Sequence, residues 1–377
     1  MKKEISLYIH IPFCVRKCLY CDFLSAPAKE AQISRYVELL VKEIAVRGRE
    51  YGDYRVKTVY IGGGTPSLLS GGCILQIMTQ VYRCFEVEKN CEVSLEANPG
   101  TVTYEKLTAW REAGVNRISL GLQSLQDGEL KALGRIHDSS TFFATYRMVV
   151  ESGFNNINID LMSGIPGQSL ESYKDTLKKV VKLAPGPKHI SAYSLIVEEG
   201  TPFYENTPQL PDEECDREMY ALTDEFLSQY GYCRYEISNY ALPGYECRHN
   251  IVYWRRGNYL GLGLGAASLV ENVRFCNARK IEDYGKIEEK QILSRKEQME
   301  EFMFLGLRMT EGVSYGEFSA CFGADIDLIY PGTVELFRQK GLLWQRINEE
   351  TGEKRIGLTA YGMDVSNYVM AEFLLTV

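Results

Sequence analysis

The stretch YIHIPFCVRKCLYCDF, residues 8–23, decides the fold. Its cysteines, Cys14, Cys18 and Cys21, have the spacing C-x-x-x-C-x-x-C and directly follow the first predicted strand. A tetrahedral zinc site would need a fourth ligand close by, and no histidine lies between or just after these cysteines. Three thiolates on a [4Fe–4S] cluster leave one iron without a protein ligand. The spacing therefore favours such a cluster, and the alternatives are a zinc site completed by a distant residue or a group of redox-inert thiols.

Composition argues against several classes of protein. The chain has 377 residues, enough for one large and one smaller domain at about 150 residues per domain. Its net charge of −8 argues against a nucleic-acid partner, which favours a basic surface. No apolar run approaches the roughly 20 residues that span a bilayer, and no signal sequence opens the chain, so we expect a cytoplasmic protein. The 11 cysteines are scattered, unlike those of a secreted disulfide scaffold.

Short apolar runs alternate with helical stretches over the first half of the chain. The predicted strands are Leu7–Ile11, Thr58–Ile61, Val93–Glu96, Arg117–Leu122, Ile157–Leu161 and His189–Ile196. Nearly continuous apolar runs are typical of parallel strands that are buried on both faces. Six βα repeats predict an α/β fold, a partial (βα)6 barrel over residues 1–205, in which the chemistry lies at the C-terminal ends of the strands.

The pattern changes beyond about residue 205. We predict a β-rich extension over residues 206–280, which contains YEISNY (235–240) and HNIVYW (249–254). Residues 281–377 predict a smaller, mostly helical domain with three helices and a hairpin, in a winged-helix-like arrangement. The acidic balance of the chain argues against DNA binding by this domain.

Unusual motifs fall at the predicted strand ends. GGGTPS (62–67) follows the second strand, and adjacent glycines let the backbone approach a ligand closely. Polar side chains at the other strand ends could bind a zwitterionic ligand that carries a ribose. These side chains are Glu96, Gln123, Arg135 and Asp160. Each of them alone could equally be a capping or surface residue.

Together these motifs resemble the radical S-adenosylmethionine (SAM) enzymes. The resemblance rests on the cysteine motif with its aromatic Tyr20, on GGGTP and on GIPGQ (164–168), and it covers about the first 200 residues. HIPFC, EANPGT, LGLQS, LGRIH and IDLMSGIPGQ are similar to one branch of that superfamily, over nearly the whole chain. This branch contains oxygen-independent coproporphyrinogen III oxidase and the HemW-type haem chaperones.

The resemblance implies a [4Fe–4S] cluster on the three cysteines, with SAM chelating the open iron through its amino and carboxylate groups. One electron from the cluster would cleave SAM to methionine and a 5′-deoxyadenosyl radical. The implied SAM contacts are Gly62, Gly63 and Gly64 at the methionyl amine, Glu96 and Arg135 at the carboxylate end, Gln123 and Asp160 at the ribose, and Tyr20, Gly164 and Gly167 at the adenine. Tyr8 and Thr65 complete the predicted cofactor-binding set, and His10, on the same strand face as Tyr8, would line the pocket.

Two departures separate this chain from the oxidase. The oxidase carries a further cysteine two residues after the third, where this chain has Phe23. The oxidase also has an extension ahead of the first strand, which here starts almost at once. Both departures match the HemW-type proteins.

HNIVYW is an H-N-x-x-Y-W motif typical of HemW-type proteins. His249 could donate a nitrogen to haem iron, and Tyr253 and Trp254 could flank the macrocycle. Cys247 is a rival axial ligand. The alternative is that His249 caps a turn and the aromatic residues fill a domain interface. We expect His137 and His189 to be structural.

We therefore expect a radical-SAM-type haem chaperone that binds [4Fe–4S], SAM and haem. It would deliver haem to a membrane-bound respiratory apoprotein at the inner membrane face, take electrons from a flavodoxin or ferredoxin, and be a monomer or homodimer. SAM cleavage stays open in this interpretation, and turnover of a tetrapyrrole is not expected. The rivals are an oxygen-independent coproporphyrinogen III oxidase and a SAM-binding redox module with another substrate, since substrate pockets vary on one fold.

Overall fold

The computed structural model describes residues 2–375, and its largest element is one 12-stranded sheet. Six adjacent strands run parallel and form the partial barrel. They are β1 (Glu4–Ile11), β2 (Arg55–Gly63), β3 (Glu86–Ala97), β4 (Arg117–Gln123), β5 (Asn156–Ser163) and β6 (His189–Ser194). All six predicted strands are present, so the predicted partial (βα)6 barrel is confirmed.

Helices connect these strands and cover the outer face of the sheet. They are α1 (Glu30–Tyr51), α2 (Gly71–Cys84), α3 (Tyr104–Glu112), α4 (Asp127–Ala132), α5 (Ser139–Glu151) and α6 (Leu170–Val181). Four of them begin where a side chain accepts a backbone N–H of the first turn, at Ser70, Thr103, Asp138 and Ser169. Such caps satisfy donors that have no partner within the helix.

The barrel strands carry apolar side chains on one face and polar side chains on the other. Leu7, Ile9 and Val59 belong to the apolar core beneath the helices. On the opposite face, polar side chains bond across neighbouring strands, such as Ser6 with Thr58 at 2.7 Å. Both faces are buried, as the sequence predicts, but the inner face is polar and therefore suited to a polar ligand.

Residues beyond β6 extend the same sheet at both edges. Their elements are α7 (Pro202–Glu205), α8 (Glu213–Ser228), β7 (Cys233–Glu236), β8 (Asn239–Ala241), α9 (Arg248–Trp254), β9 (Tyr259–Leu262), β10 (Ala267–Val270), β11 (Val273–Asn277) and β12 (Ile287–Ile292). β8 pairs antiparallel with β6, whereas β9 pairs parallel with β1. The segment predicted as a β-rich extension thus shares the barrel's core, to which Met219 and Leu260 belong. The motif HNIVYW lies on a helix, α9.

The C-terminal residues build a second core of their own. Its elements are α10 (Arg295–Gly306), β13 (Val313–Ser314), α11 (Tyr315–Phe322), α12 (Ile326–Ile329), α13 (Thr333–Gln339), β14 (Leu343–Ile347), β15 (Lys354–Leu358), α14 (Ala360–Asp364) and α15 (Ser366–Ala371). The predicted hairpin is present, since β14 pairs antiparallel with β15. Within residues 2–375, no helix combines the length and apolar character that crossing a membrane requires.

Candidate cofactor site

The three cysteines lie in the loop after β1 and line one cavity of about 330 Å³. Backbone hydrogen bonds hold this loop, from Cys14 N–H to Ala26 O and from Leu19 N–H to Leu133 O, each 3.1 Å. Across the described part of the chain, no three Cys, His, Asp or Glu side chains surround a point that one metal ion could occupy. A single zinc would need its sulfurs about 2.3 Å from one point. A [4Fe–4S] cluster instead spreads three thiolates over three irons, so the donor set fits the cluster better than zinc.

The glycine run after β2 lies directly against the cysteine loop. Gly64 N–H donates to Ile11 O at 2.9 Å, and a Cβ on Gly64 would lie 2.6 Å from Phe13 O. Gly63 has a φ of +114°, which favours glycine, and Thr65 Oγ1 donates to Cys14 Sγ at 3.4 Å. Gly63, Gly64 and Thr65 line the cavity. Gly62 does not: a Cβ there would meet the side chains of Tyr60 and Glu96.

Two carboxyl groups face the cavity from β3 and β5. Glu96 accepts hydrogen bonds from Tyr60 Oη (2.8 Å) and Gly63 N–H (3.0 Å). Burial, together with the nearby charge of Asp160, raises the pKa of Glu96 to about 7. Burial also raises the pKa of Asp160, which accepts from Asn158 Nδ2 at 2.7 Å. Carboxyl groups that are held in this way suit a ligand with ammonium or hydroxyl groups.

Arg135 reaches the cavity from the loop after α4. Its Nη2 donates to Asn98 Oδ1 (2.8 Å) and Gly121 O (2.5 Å), and its Nη1 lies 3.7 Å from Cys18 Sγ. Asn98 also donates to Thr65 Oγ1 at 2.9 Å, so one amide fixes two predicted cofactor residues. Sequence analysis missed Asn98, although it lies within the quoted EANPGT. The Arg135 Nε is buried without a partner, as expected if a ligand supplies one.

Gln123 and Tyr20 also line the cavity, as the resemblance implies. Gln123 ends β4 with a φ of +70°, an uncommon conformation for any residue other than glycine. Its Oε1 accepts a hydrogen bond from Tyr193 Oη at 2.9 Å. Strained backbone that is stabilised by surrounding contacts is typical of ligand sites.

Three other predicted contacts are not among the residues that line the cavity. Tyr8 Oη donates to His10 Nδ1 at 3.0 Å, because His10 Nε2 must donate to Leu24 O at 2.8 Å. Gly164 and Gly167, with φ of +70° and +78°, form a turn and are absent from the cavity lining. The Gln168 side chain stabilises this turn, since its Nε2 donates a hydrogen bond to Met162 O at 3.2 Å.

His249 lies below the cavity, in what we call the floor network of Glu92, Cys247, His249, Thr58 and Tyr253. Its Nδ1 bonds with Thr58 Oγ1 at 2.7 Å and its Nε2 with Tyr253 Oη at 2.8 Å. Burial lowers the pKa of His249 to about 3, so the ring is neutral. His249 could therefore bind haem iron only after one of these two hydrogen bonds opened.

Glu92 joins the start of α9 to the floor network. It accepts the backbone N–H groups of Arg248 and His249, each at 3.1 Å. The Cys247 thiol lies 3.7 Å from Glu92 Oε1, and burial raises its pKa to about 12. Cys247 is fully buried, so haem cannot reach its sulfur in this structure.

Residues from beyond β6 complete the cavity wall. Ser238, Asn239 and Asn250 line it together with Ser191 and Tyr193 of β6. Sequence analysis did not assign these residues to the cofactor. Asn250 is the one of these residues that the sequence could have indicated, since it follows His249 in the motif HNIVYW.

The chain is similar to known proteins over its whole length. The family model of the Radical SAM superfamily matches residues 8–180, and that of the HemN C-terminal domain matches residues 293–347. The protein named Heme chaperone HemW in Lactococcus lactis is 35% identical to this chain, and the match covers 100% of this chain and 98% of that protein. Its namesake in Bacillus subtilis is 36% identical, with 98% and 99% covered.

A solved structure supports the fold independently. The coproporphyrinogen III oxidase HemN from Escherichia coli, described as a Radical SAM enzyme, matches with a TM-score of 0.86. The match covers 100% of this chain and 91% of that chain at 22% identity, and it therefore bears on the fold alone. The predicted α/β radical SAM fold with a smaller C-terminal domain is confirmed. On full-length identity to the relatives above, this chain belongs to the HemW family of the Radical SAM superfamily.

Proposed function

We propose that this protein is a cytoplasmic haem chaperone that binds a [4Fe–4S] cluster, SAM and haem, and delivers haem to a membrane-bound respiratory apoprotein. The observation that carries this proposal is the full-length identity of about 35% to proteins named Heme chaperone HemW. A match of this extent includes the cavity, the floor network and the C-terminal domain together.

The residues of the cavity suit the two proposed cofactors. Cys14, Cys18 and Cys21 would hold the cluster, which when bound supplies an electron for the cleavage of SAM. Arg135 would pair with a carboxylate of SAM, while Glu96 and Asp160 would accept hydrogen bonds from its ammonium or hydroxyl groups. The electron would come from a flavodoxin or ferredoxin.

The mouth of the cavity favours the chaperone over the oxidase. Phe23 stands where the oxidase branch carries a further cysteine, and its side chain is 59% exposed. Val15, Leu19 and Ile136 are also exposed around the cysteine loop. Of these four residues, Phe23 lines the cavity, and its exposed ring suits the flat apolar face of a haem.

The test compares haem binding with tetrapyrrole turnover in one anaerobic preparation. Cluster-reconstituted protein is titrated with haem and followed by absorbance, and a parallel sample receives reductant, SAM and coproporphyrinogen III. We expect saturable haem binding and no protoporphyrinogen. Product over many turnovers would make the protein an oxidase, and formation of 5′-deoxyadenosine without haem binding or product would favour a redox module with another substrate.

A further inference from the structure

A long groove lies between helix α8 and the C-terminal domain. Its larger chamber encloses about 960 Å³ between α8 and α14, and its inner chamber encloses about 290 Å³. Arg217, Tyr220 and Asp364 line both chambers, and we call the two chambers together the interdomain groove. Tyr193 and Ser238 line both the inner chamber and the cofactor cavity, so the groove adjoins that cavity.

Carboxylates dominate the wall of the larger chamber. Six acidic side chains line it, against two guanidinium groups, those of Arg217 and Arg234. Arg217 is already paired, with Glu213 at 2.9 Å and with Asp364 at 3.6 Å. Four exposed carboxylates of the wall form no ion pair within residues 2–375, namely Glu214, Glu218, Asp224 and Glu225. The wall therefore offers acceptors to cationic groups that the described chain does not supply.

The stability of α8 alone does not explain this acidic face. A carboxylate in the first turn, such as that of Glu214, stabilises a helix through the helix dipole. Glu218, Asp224 and Glu225 lie beyond that turn, where this gain is lost. Spacings of four and seven residues place Glu214, Glu218 and Glu225 along one face of the helix. The helix rises about 16 Å from Glu214 to Glu225, a length that about five residues of an extended chain would cover.

The groove also holds buried donors that lack acceptors. The guanidinium of Arg234 lies 4.3 Å from the ring centroid of Tyr220 and 5.2 Å from that of Tyr240. Its Nη1 donates to Met363 Sδ at 3.5 Å, whereas its Nε and Nη2 are buried without a partner among the described residues. Tyr240 is 1% exposed and lines the inner chamber, and its hydroxyl likewise has no partner there. Because unpaired buried donors are destabilising, they point to a ligand that carries acceptors.

We propose that the interdomain groove docks a basic, extended segment of the membrane-bound protein that receives haem, an inference that rests on the proposed function. Cytoplasmic segments of membrane proteins are enriched in lysine and arginine. Their cationic side chains pair with the free carboxylates of α8, while their backbone carbonyl oxygens accept from Arg234 and Tyr240. The same wall repels nucleic acids and anionic lipid surfaces. The docked segment lies next to the cofactor cavity.

The test measures the binding of labelled peptides to the full-length protein by fluorescence anisotropy. The probe is a peptide of about eight residues in which lysine alternates with serine, long enough to cover the acidic face of α8. The comparison peptide has glutamine in place of each lysine. At low ionic strength, we expect the lysine peptide to bind at least about tenfold more tightly than the glutamine peptide, and to weaken as salt is added.

Matched variants test the groove itself. Glu218→Gln combined with Asp224→Asn should weaken binding of the lysine peptide about tenfold, because two free carboxylates are lost. Glu38→Gln combined with Glu105→Gln makes the same change of net charge at exposed helix positions outside the groove, and should keep the affinity within about twofold. Tyr240→Phe should weaken binding about threefold through loss of one hydrogen bond, whereas charge alone predicts no change.

The outcomes separate this inference from the proposed function. Equal binding of the two peptides, or equal losses in the groove and control variants, overturns the groove as a docking site. An unaltered affinity in Tyr240→Phe overturns docking of a peptide backbone against the buried donors. Haem titration of the same proteins is read independently: haem binding without peptide binding overturns this inference alone. Peptide binding by a protein that binds no haem overturns the haem acceptor as the partner, and the proposed function with it.

Discussion

The cofactor cavity and the floor network are built on the same strands from polar side chains, yet their hydrogen bonding differs. In the floor network, both nitrogens of His249 and both oxygens of Glu92 have partners within the protein. In the cavity, Asn239 Oδ1 and Arg135 Nε have none. The pairing of buried polar atoms, more than residue type, therefore separates structural residues from those available to a ligand.

The largest effect should follow from Cys18→Ser. The variant leaves the proposed cluster with two thiolates, and we expect iron and sulfide content after reconstitution to fall to a small fraction of the unaltered protein's. Cys321→Ser, which changes an exposed cysteine on α11, should keep the full content. Undiminished iron and sulfide in Cys18→Ser would contradict the assignment of this end of the barrel to a cluster.

In the floor network, Glu92→Ala should lower the free energy of unfolding by about 3 kcal/mol, because two backbone N–H groups of α9 lose their buried acceptor. Denaturant unfolding measures the change. Glu88 on the same strand forms an ion pair with Lys57 at 2.9 Å, and its side chain is 16% exposed. Glu88→Ala is the matched control, and we expect it to cost less than about 1 kcal/mol. Equal losses in the two variants would show that α9 does not depend on this carboxylate.

The cavity carboxyl group Glu96 should give stability a pH dependence. Its pKa is about 7 in the folded chain, against an ordinary value of 4.5, so between these values the folded state keeps a proton that the unfolded state has lost. This stabilisation is fully present below about pH 4.5 and is lost as the pH rises through 7. Between pH 5 and 8, the melting temperature should therefore fall by roughly 3–6 °C more in the unaltered protein than in Glu96→Gln.

Exposed Glu112→Gln serves as the control for that pH profile and should follow the unaltered protein. Parallel profiles for Glu96→Gln and the unaltered protein would mean that Glu96 is ionised over the whole range. The comparison uses slopes, since the amide changes the hydrogen bond from Gly63 N–H at every pH.

The smallest expected effect is on haem affinity in variants of the floor network. His249→Ala should change the haem dissociation constant by less than about twofold, because neither ring nitrogen is free. Tyr253→Phe removes the hydroxyl that occupies His249 Nε2 and should also leave the constant unchanged. Haem titration by absorbance measures both. Tenfold weaker haem binding by His249→Ala, together with tighter haem binding by Tyr253→Phe, would identify His249 as the iron ligand.

Local patterns were enough to predict much of this molecule from sequence. The cysteine spacing, the six strands and the polar residues at strand ends are encoded within short segments, and Glu96, Gln123, Arg135 and Asp160 do meet at one cavity. Asn98 was missed because its two bonds join residues that are distant in sequence. Asn239 was missed because β8 joins β6 only in the folded sheet, which no local period reveals. The resemblance implies Gly164 and Gly167 at the adenine, whereas the structure places them in a turn outside the cavity lining.

Glu236 limits how this chain can recombine with its relatives. This fully buried carboxylate receives Asn239 and Ser238 from the barrel side and the Arg308 guanidinium, at 3.3 Å, from the residues that follow α10. The same guanidinium lies 4.2 Å from the Trp254 ring at the end of α9. A chimera whose C-terminal domain lacked this arginine would leave an anion buried beside the cavity wall. We therefore expect that exchanging one core without the other would destabilise the chain wherever this arginine is lost.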